Sequence, residues 1–298
     1  MQEPRVTVLV LNNNRPADCR ACLASLAHSQ YRNRRTTLLN HGAAPQALGA
    51  AYPDLRVVDV TENRGYAGNN NLGISLALED RADWIFVLNE DTVVDAECLD
   101  RLVAAGVADA RVGMVGPLLY HADEPAVIQS AGGTLSPRTW RTAHAGRNEA
   151  DRGQFAGIRS VDWVSGCAVL VRREVVEQIG LLDEQFFVYW EDVDWCLRAR
   201  RAGWRVVLEP RARVWHKGVQ RDYQPPPSVT YYSARNRFLL LTKHRAPVAA
   251  RVLAWGETVR TLSSWTVRPK WRGMRAHRDA LCDAVRDSLR GRTGRWDT

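Results

Sequence analysis

Three observations predict an α/β fold, with a mostly parallel mixed sheet flanked by helices and a C-terminal helical extension. Short apolar runs alternate with amphipathic stretches over the first 120 residues, as strands joined by crossover helices do. Polar clusters at 12–14, 63–68 and 89–91 follow apolar runs, at the edge where such a sheet binds its ligands. From Val229 onward the chain reads helical, amphipathic and basic.

Val6 to Leu11 is an apolar run stopped by Asn12-Asn13-Asn14, consistent with a fully buried strand. Pro16 to Ala27 reads as a helix with Cys19, Cys22, Leu23 and Leu26 on one stripe. Thr36 to Leu39 and Arg56 to Val60 are the next strands. Residues 63–68 read as a loop opening a helix over 69–78. Trp84 to Leu88 is a buried strand ending at Asn89-Glu90-Asp91, followed by a helix over 96–105 and a strand over 113–119. Residues 120–160 form a polar excursion with the character of a hairpin, and strand character returns over 161–171. A helix over 191–202 ends at Gly203, and 205–208 and 213–216 read as two strands. The three consecutive prolines at 225–227 exclude regular structure over 217–228, a loop expected to close over a ligand. The expected division is a domain over 1–228, with its halves meeting near 118, and an extension over 229–298.

A chain of 298 residues with 45% hydrophobic and 25% charged content suits a globular protein with a sizeable core. No apolar run approaches the roughly 18–20 residues that span a bilayer, and Met1 to Arg5 leads straight into a strand, so the expectation is a cytoplasmic protein. Six cysteines are scattered at 19, 22, 98, 167, 196 and 282, without the second pair that would complete a zinc site, and are expected as buried thiols. Residues 243–298 hold 13 Lys and Arg against 5 Asp and Glu, whereas 1–242 hold 28 of each. The net charge of +8 therefore sits in the tail, where Trp255, Trp265 and Trp271 accompany Arg260, Arg268, Lys270, Arg272 and Arg275. Aromatic rings beside cations suit peripheral contact of 246–298 with the inner face of a membrane. No nucleic-acid recognition motif accompanies the charge, so no nucleic-acid partner is expected.

The most informative stretch runs from Phe187 to Trp204. Its acidic residues start a helix beneath an aromatic run, and the partial positive charge of the helix N-terminus favours the ionised form of Asp192 or Asp194. Either carboxylate is then placed to accept a proton. Asn89-Glu90-Asp91 ends a buried strand and offers oxygen ligands to a hard divalent cation. His216 ends another strand-like run.

Seven motifs occur in order: Asn12-x-Asn14-Arg15, Asn63 to Gly73, Leu88 to Asp91, Ser165-Gly166-Cys167, Phe186 to Gly203, Trp215 to Gly218, and Tyr231-Tyr232-x-x-Arg235-Asn236-Arg237. Together they closely resemble the family-two inverting glycosyltransferases with the GT-A, Rossmann-like fold, particularly the rhamnosyltransferase-like branch, over residues 5 to about 245. The resemblance implies a nucleotide-sugar donor, with a dTDP-activated deoxysugar such as rhamnose leading and a UDP-hexose as runner-up. It implies a glycan, lipid-linked or small-molecule acceptor. Asp91 and His216 are implied as ligands of Mg²⁺ or Mn²⁺, and Asp192 as catalytic base. Asn12, Asn40, Asn63, Gly68 and Asn89 are implied near the nucleotide, and Lys217, Arg235 and Arg237 near the departing phosphates.

Three departures stand out. Asn40-His41-Gly42-Ala43 replaces the usual Asp-Asn-Gly-Ser, Asn13 stands where a tyrosine is common, and Asn89 replaces the first Asp of a DxD motif. A non-catalytic sugar-nucleotide-binding scaffold is the alternative from another class.

Overall fold

The computed structural model describes residues 3–42, 48, 52, 55–218 and 224–297. Strands β1 (Val6–Asn13), β2 (Arg34–His41), β3 (Leu55–Asp59) and β4 (Trp84–Asn89) pair in parallel in the order β4-β1-β2-β3. The sequence does not continue in that way beyond β4. The next paired strand, β11 (Ala168–Arg172), runs antiparallel to both β4 and β6 (Val112–His121), and β12 (Arg205–His216) then returns parallel to β6. Short strands complete the ten-stranded sheet: β5 (Thr92–Val94) and β10 (Arg159–Ser160) on β12, and β7 (Ile128–Ser130) on β6. In the 120–160 excursion, β8 (Gly133–Leu135) and β9 (Thr142–His144) form the expected hairpin.

The register brings the polar strand ends together. Asn12 pairs with Asn40, Leu11 with Asn89, Leu88 with Ala168, and His216 with Thr92. Helices cover both faces. Helix α1 (Pro16–Ala27) opens with proline, whose missing N–H costs nothing at a first turn, and buries Cys19, Cys22, Leu23 and Leu26. Helix α2 (Gly65–Glu79) buries Ile74 and Ala77 on the opposite face, and α3 (Cys98–Val107) buries Leu99 and Leu102 beside α1. Helix α4 (Arg173–Ile179) and α5 (Glu191–Arg201) follow, and Trp195 is 1% exposed with its indole N–H on the Gly180 carbonyl at 3.0 Å.

Two boundaries differ from the sequence reading. Gly65 to Gly68 is the first turn of α2 rather than a loop, entered through a turn in which the Asn63 side chain accepts the Gly65 N–H at 2.9 Å and the Asn69 side chain accepts the Arg64 N–H at 3.0 Å. Gly65 has φ +73°, and a Cβ there would strike the Phe187 carbonyl. The two predicted strands over 205–216 are one strand with a register shift between Glu209 and Arg213. Fully buried Glu209 accepts the Arg211 N–H at 2.9 Å and its guanidinium at 3.0 Å, which satisfies the bulge. In the 217–228 segment, Pro227 already begins a helix, and the rest of the expected closing loop, over 219–223, lies outside the described residues.

The extension comprises α6 (Pro227–Lys243), α7 (Val248–Val267), a 3₁₀ turn at Pro269–Met274 and α8 (Arg275–Arg290). It is fastened to the preceding structure. Leu240 enters the core beneath α5, and Tyr231 donates to Asp287 at 2.9 Å. The Trp296 ring stacks on Tyr231 at 4.5 Å, and Gly294 donates its N–H to the Gln185 carbonyl at 2.8 Å. Among the described residues no helix is long and apolar enough to cross a membrane.

Candidate active site

The strand ends build one crevice from the bottom up. Asn12, at the end of β1, is fully buried and donates to the Asn40 side chain at 2.8 Å. Asn40 in turn donates to Asp59 at 3.0 Å and to the Gly42 carbonyl at 3.1 Å. The carboxylate absent from position 40 is thus present one strand over, on an exposed side chain. The Asn13 N–H donates to Glu90 at 3.2 Å. Burial, and then the neighbouring Asp91, push the Glu90 carboxyl above its ordinary range.

Asp91 lies in the turn between β4 and β5 and is 8% exposed. Its Oδ2 is 3.2 Å from an Arg15 guanidinium nitrogen, and its Oδ1 is 3.2 Å from His216 Nε2. The second contact lacks hydrogen-bond alignment, which leaves Oδ1 a buried carboxylate oxygen without a hydrogen-bond partner. Burial opposes ionisation of Asp91, but His216 and then Arg15 overcome it and hold the carboxyl below its usual range. Burial likewise opposes a charged His216, while the Cys167 sulfur and Asp91 outweigh it and lift the imidazole to about 10. His216 Nδ1 is 2.8 Å from Gln129 Oε1, so Nδ1–H donates outward and Nε2 faces Asp91.

This donor set fits a divalent cation. Two ligands about 2.1 Å from a shared ion at a right angle lie about 3.0 Å apart, close to the 3.2 Å between Asp91 Oδ1 and His216 Nε2. An unsatisfied carboxylate oxygen opposite an imidazole nitrogen is suited to Mg²⁺ or Mn²⁺, whose binding would displace the proton that His216 Nε2 carries beside Asp91.

Asp192 reaches the same crevice from the other side. The 165–167 segment links the two acidic turns: Asn89, two residues before Asp91, donates its N–H to the Cys167 carbonyl at 2.9 Å, and Gly166 donates its N–H to Asp192 Oδ2 at 2.9 Å. Tyr66 donates to the Gly166 carbonyl at 2.5 Å and fixes that peptide from behind. Asp192 Oδ1 accepts the Val193 N–H at 2.8 Å. Burial raises the Asp192 pKa against the pull of these N–H groups, so the helix N-terminus does not dominate as expected from sequence. Glu191 beside it is raised further, by burial and then by Asp192.

Asp194 is a different kind of residue. It is fully buried and meets His244 Nε2 at 2.7 Å, Arg198 Nε at 2.8 Å and Lys243 Nζ at 2.9 Å. Burial would raise its pKa, but these partners win and bring it to about 2. It ties α5 to the end of α6 and offers no free oxygen to a substrate, which leaves Asp192 as the base candidate.

Several predicted residues are placed elsewhere. Arg235 is 1% exposed and donates to the carbonyls of Phe186 at 3.2 Å and Gly294 at 2.9 Å, with its guanidinium over the Tyr231 and Tyr232 rings. Arg237 is paired with Glu257 at 2.7 Å. Both are engaged within the C-terminal helices, which corrects the phosphate role expected for them. Their motif braces the base-bearing loop instead. Phe187, Tyr189 and Trp190 adopt left-handed φ of 64°, 68° and 75°, and Asn236 donates to the carbonyls of Phe186, Val188 and Tyr189 at 2.7–2.8 Å. Such strained residues persist only where surrounding structure over-determines them. Gly68 is a packing glycine, since a Cβ would meet Arg64 Cβ and lie 3.2 Å from Glu184. Asn63 holds the Gly65 N–H in the turn that enters α2. Lys217 stays beside the site, donating its backbone N–H to the Asp91 carbonyl at 2.9 Å while its ammonium pairs with Asp18. Asn89 contributes backbone contacts, its carbonyl accepting the Thr92 hydroxyl at 2.7 Å. Sequence reasoning gave no role to Arg15, Tyr66 or Gln129. The first two lie inside motifs, whereas nothing in the weakly periodic 120–160 stretch marks Gln129.

Comparison with known proteins agrees with this geometry. Residues 4–237 match the family model described as "Glycosyltransferase like family 2". The chain is 30% identical over 258 residues to an N-acetylglucosaminyl-diphospho-decaprenol L-rhamnosyltransferase of Mycobacterium tuberculosis, covering 78% of this chain and 82% of the relative. It is 26% identical over 254 residues to the dTDP-rhamnosyl transferase RfbF of Shigella flexneri, covering 82% of each. Among solved structures, the mannosyltransferase PcManGT of Pyrobaculum calidifontis, in complex with GDP-Man and Mn²⁺, aligns with a TM-score of 0.61 at 15% identity. That alignment covers 97% of this chain and 88% of that one. GalNAc-T7 with UDP, GalNAc and Mn²⁺ aligns with a TM-score of 0.64 at 13% identity over 80% of this chain, which spans 48% of that chain's length. A GT-A-like sheet, a crevice at its strand ends and this run of relatives lead to one conclusion: the chain is a glycosyltransferase and belongs to glycosyltransferase family 2.

Proposed function

We propose that the enzyme transfers a deoxysugar, L-rhamnose in the leading case, from a dTDP-sugar to an acceptor hydroxyl with inversion at the anomeric carbon. The observation that carries this reading is the tie of both acidic turns to the 165–167 segment: Gly166 donates its N–H to Asp192, and Asn89, two residues before Asp91, donates its N–H to the Cys167 carbonyl. The rhamnosyltransferase names of two relatives that match most of the chain support the sugar. Asn12, Asn40 and Asp59 form the polar floor that receives the nucleoside.

Asp192 takes the proton of the acceptor hydroxyl as that oxygen attacks the face opposite the nucleotide. A carboxylate whose pKa is raised by burial accepts a proton more readily, and such positioning is worth about 10²–10⁴-fold. Gly166 N–H and Tyr66 hold the carboxylate oxygen in place through the transfer. Asp91 and His216 would hold Mg²⁺ or Mn²⁺, which when bound supplies positive charge against the leaving diphosphate.

The relative named for a decaprenol-linked substrate makes a lipid-linked acceptor the favoured choice. Helix α7 and the following turn fit peripheral docking on an anionic lipid surface. Val248, Val252, Val259 and Val267 are 57–77% exposed, and Arg268, Lys270, Arg272 and Arg275 are exposed beside them. Trp255 is excluded from that surface by its stacking on Phe238 at 4.2 Å.

Thermal denaturation against dTDP, UDP and GDP, each with Mn²⁺ or with EDTA, tests the donor site, because ligands selective for the folded state raise the melting point. A Mn²⁺-dependent shift greatest with dTDP is expected. A greater shift with UDP moves the donor to a UDP-hexose, and no shift with any nucleotide overturns the donor-site reading.

A further inference from the structure

We propose that Arg15 is a transferable phosphate clamp: its guanidinium rests on Asp91 and would pass to the donor diphosphate when Asp91 takes a cation. The inference rests on the donor-site reading above and adds to it a residue and a coupling between the two ligands.

The geometry separates a fixed backbone from a movable side chain. The Arg15 N–H donates to Asn12 Oδ1 at 3.2 Å, and its carbonyl accepts the Cys19 N–H at 2.9 Å. Asn12 is itself buried and tied to Asn40. The Arg15 Cα is therefore held at the mouth of the crevice, between the end of β1 and the start of α1. Its side chain is 52% exposed, whereas Asp91 is 8% exposed. The pair is made through a single guanidinium nitrogen at 3.2 Å, and a half-exposed, single-contact ion pair is weak and screened.

Among the described residues, the other basic side chains considered for the phosphates are committed. Lys217 is paired with Asp18, Arg64 makes two 2.7 Å contacts with Glu184, and Arg235 and Arg237 are held in the C-terminal helices. Arg15 is the guanidinium that can leave its partner cheaply and whose planar fork matches phosphate oxygens. Its departure also frees an Asp91 oxygen. Cation and nucleotide binding should then reinforce one another, and reciprocally.

The test is calorimetric binding of Mn²⁺ alone, and of dTDP and UDP with and without Mn²⁺, to the full-length wild type, Arg15→Ala and Arg15→Lys. Removing a weak competing ion pair should let Arg15→Ala bind Mn²⁺ alone about threefold more tightly. Removing a charged phosphate partner should weaken its nucleoside diphosphate binding about tenfold or more. Arg15→Lys, which keeps the charge without the fork, should fall between wild type and Arg15→Ala for the nucleotide. Unchanged nucleotide affinity in Arg15→Ala overturns the clamp, and unchanged or weaker Mn²⁺ binding overturns the resting pair. A wild type that binds neither Mn²⁺ nor any of these nucleotides overturns the donor-site reading itself. That result is distinct from a wild type that binds both and a variant that matches it.

Discussion

Asp192 and Asp194 stand two residues apart in one helical turn, and their amide substitutions should have opposite consequences. Asp194 is fully buried and closes a network with His244, Arg198 and Lys243. Its pKa of about 2 in the folded protein, against roughly 3.9 unfolded, represents stability at neutral pH on the order of 2–3 kcal/mol. Asp194→Asn removes that carboxylate charge and leaves partly buried cations facing an amide, a change that typically costs about 3–5 kcal/mol. Lys243 keeps Asp183 at 2.5 Å, and Arg198 keeps the carbonyls of Ile179 and Leu181 at 2.6 and 2.7 Å. The lower end, about 3 kcal/mol, is therefore expected, which corresponds to a fall of about 6–12 °C in Tm. The sign with pH follows from the depressed pKa. The contribution is fully present above about pH 4 and is lost as pH falls through about 2, so the gap between wild type and Asp194→Asn should narrow in acid.

Asp192→Asn should leave stability within about 1 kcal/mol of wild type, as expected where no buried ion pair is broken. Asparagine keeps an acceptor for only one of the Gly166 and Val193 N–H groups, a loss offset by removing a carboxylate whose ionisation burial already disfavours. Transfer should fall about 10²–10⁴-fold with the base gone. Urea and thermal unfolding followed by circular dichroism, beside nucleoside diphosphate release with an acceptor present, measure both variants. An Asp192→Asn enzyme with wild-type turnover refutes the base assignment. A stable but inactive Asp194→Asn enzyme would transfer the role to Asp194.

Three further outcomes follow from local geometry. Gln129→Ala should weaken Mn²⁺ binding about 10-fold, as loss of an outer partner of a metal-binding histidine commonly does, with little change in Tm; isothermal titration decides it, and an unchanged affinity removes Gln129 from the site. Gly65→Ala should destabilise by about 2–3 kcal/mol, since it combines a left-handed φ with a collision at the Phe187 carbonyl; a wild-type urea midpoint would contradict the packing described. Replacing Arg268, Lys270, Arg272 and Arg275 together by Ser should reduce sedimentation with anionic vesicles, given about 1 kcal/mol per basic residue near such a surface, while neutral vesicles show no difference between the proteins; equal binding to anionic vesicles refutes the docking surface.

The strand ends were legible because their signals are local. Apolar runs that stop at Asn12, Asn89 and His216 place those residues at one sheet edge, and the parallel register then joins Asn12 to Asn40. What could not be read is set by partners far away in the chain. Arg198, four residues after Asp194, is the one local sign that separates it from Asp192, and the rest of the distinction comes from Lys243 and His244, some 50 residues later. Arg235 looks like a phosphate ligand until the Gly294 carbonyl, 59 residues on, is found beneath it. Gly68 suggests a nucleotide approach, yet its missing Cβ answers to Arg64, four residues earlier on the same helical turn. A break in hydrophobic pattern at Glu209 reads as a loop, although a buried carboxylate and one arginine satisfy it as a bulge inside a continuous strand.

These distant partners give the basic extension a role in the catalytic unit. The left-handed run Phe187, Tyr189 and Trp190 costs about 1–3 kcal/mol at each residue. Asn236, Arg235 and the Trp190 indole, which donates to the Ser233 carbonyl at 3.1 Å, hold that run from α6. Helix α6 is itself fixed by α8 and by the Trp296 strap. Removing 246–298 would therefore release the loop that aims Asp192, and lost activity or lost vesicle binding in such a truncation could reflect the released loop as readily as a missing membrane contact. Surface substitutions on the turn at 268–275 avoid this ambiguity, because those cations are exposed and lie away from the Asn236 and Tyr231 contacts. If they abolish vesicle binding while transfer to a soluble acceptor analogue is unchanged, membrane docking and bracing are separate functions of one segment. If transfer falls as well, the turn is coupled to the brace, and the charge of the tail serves catalysis first.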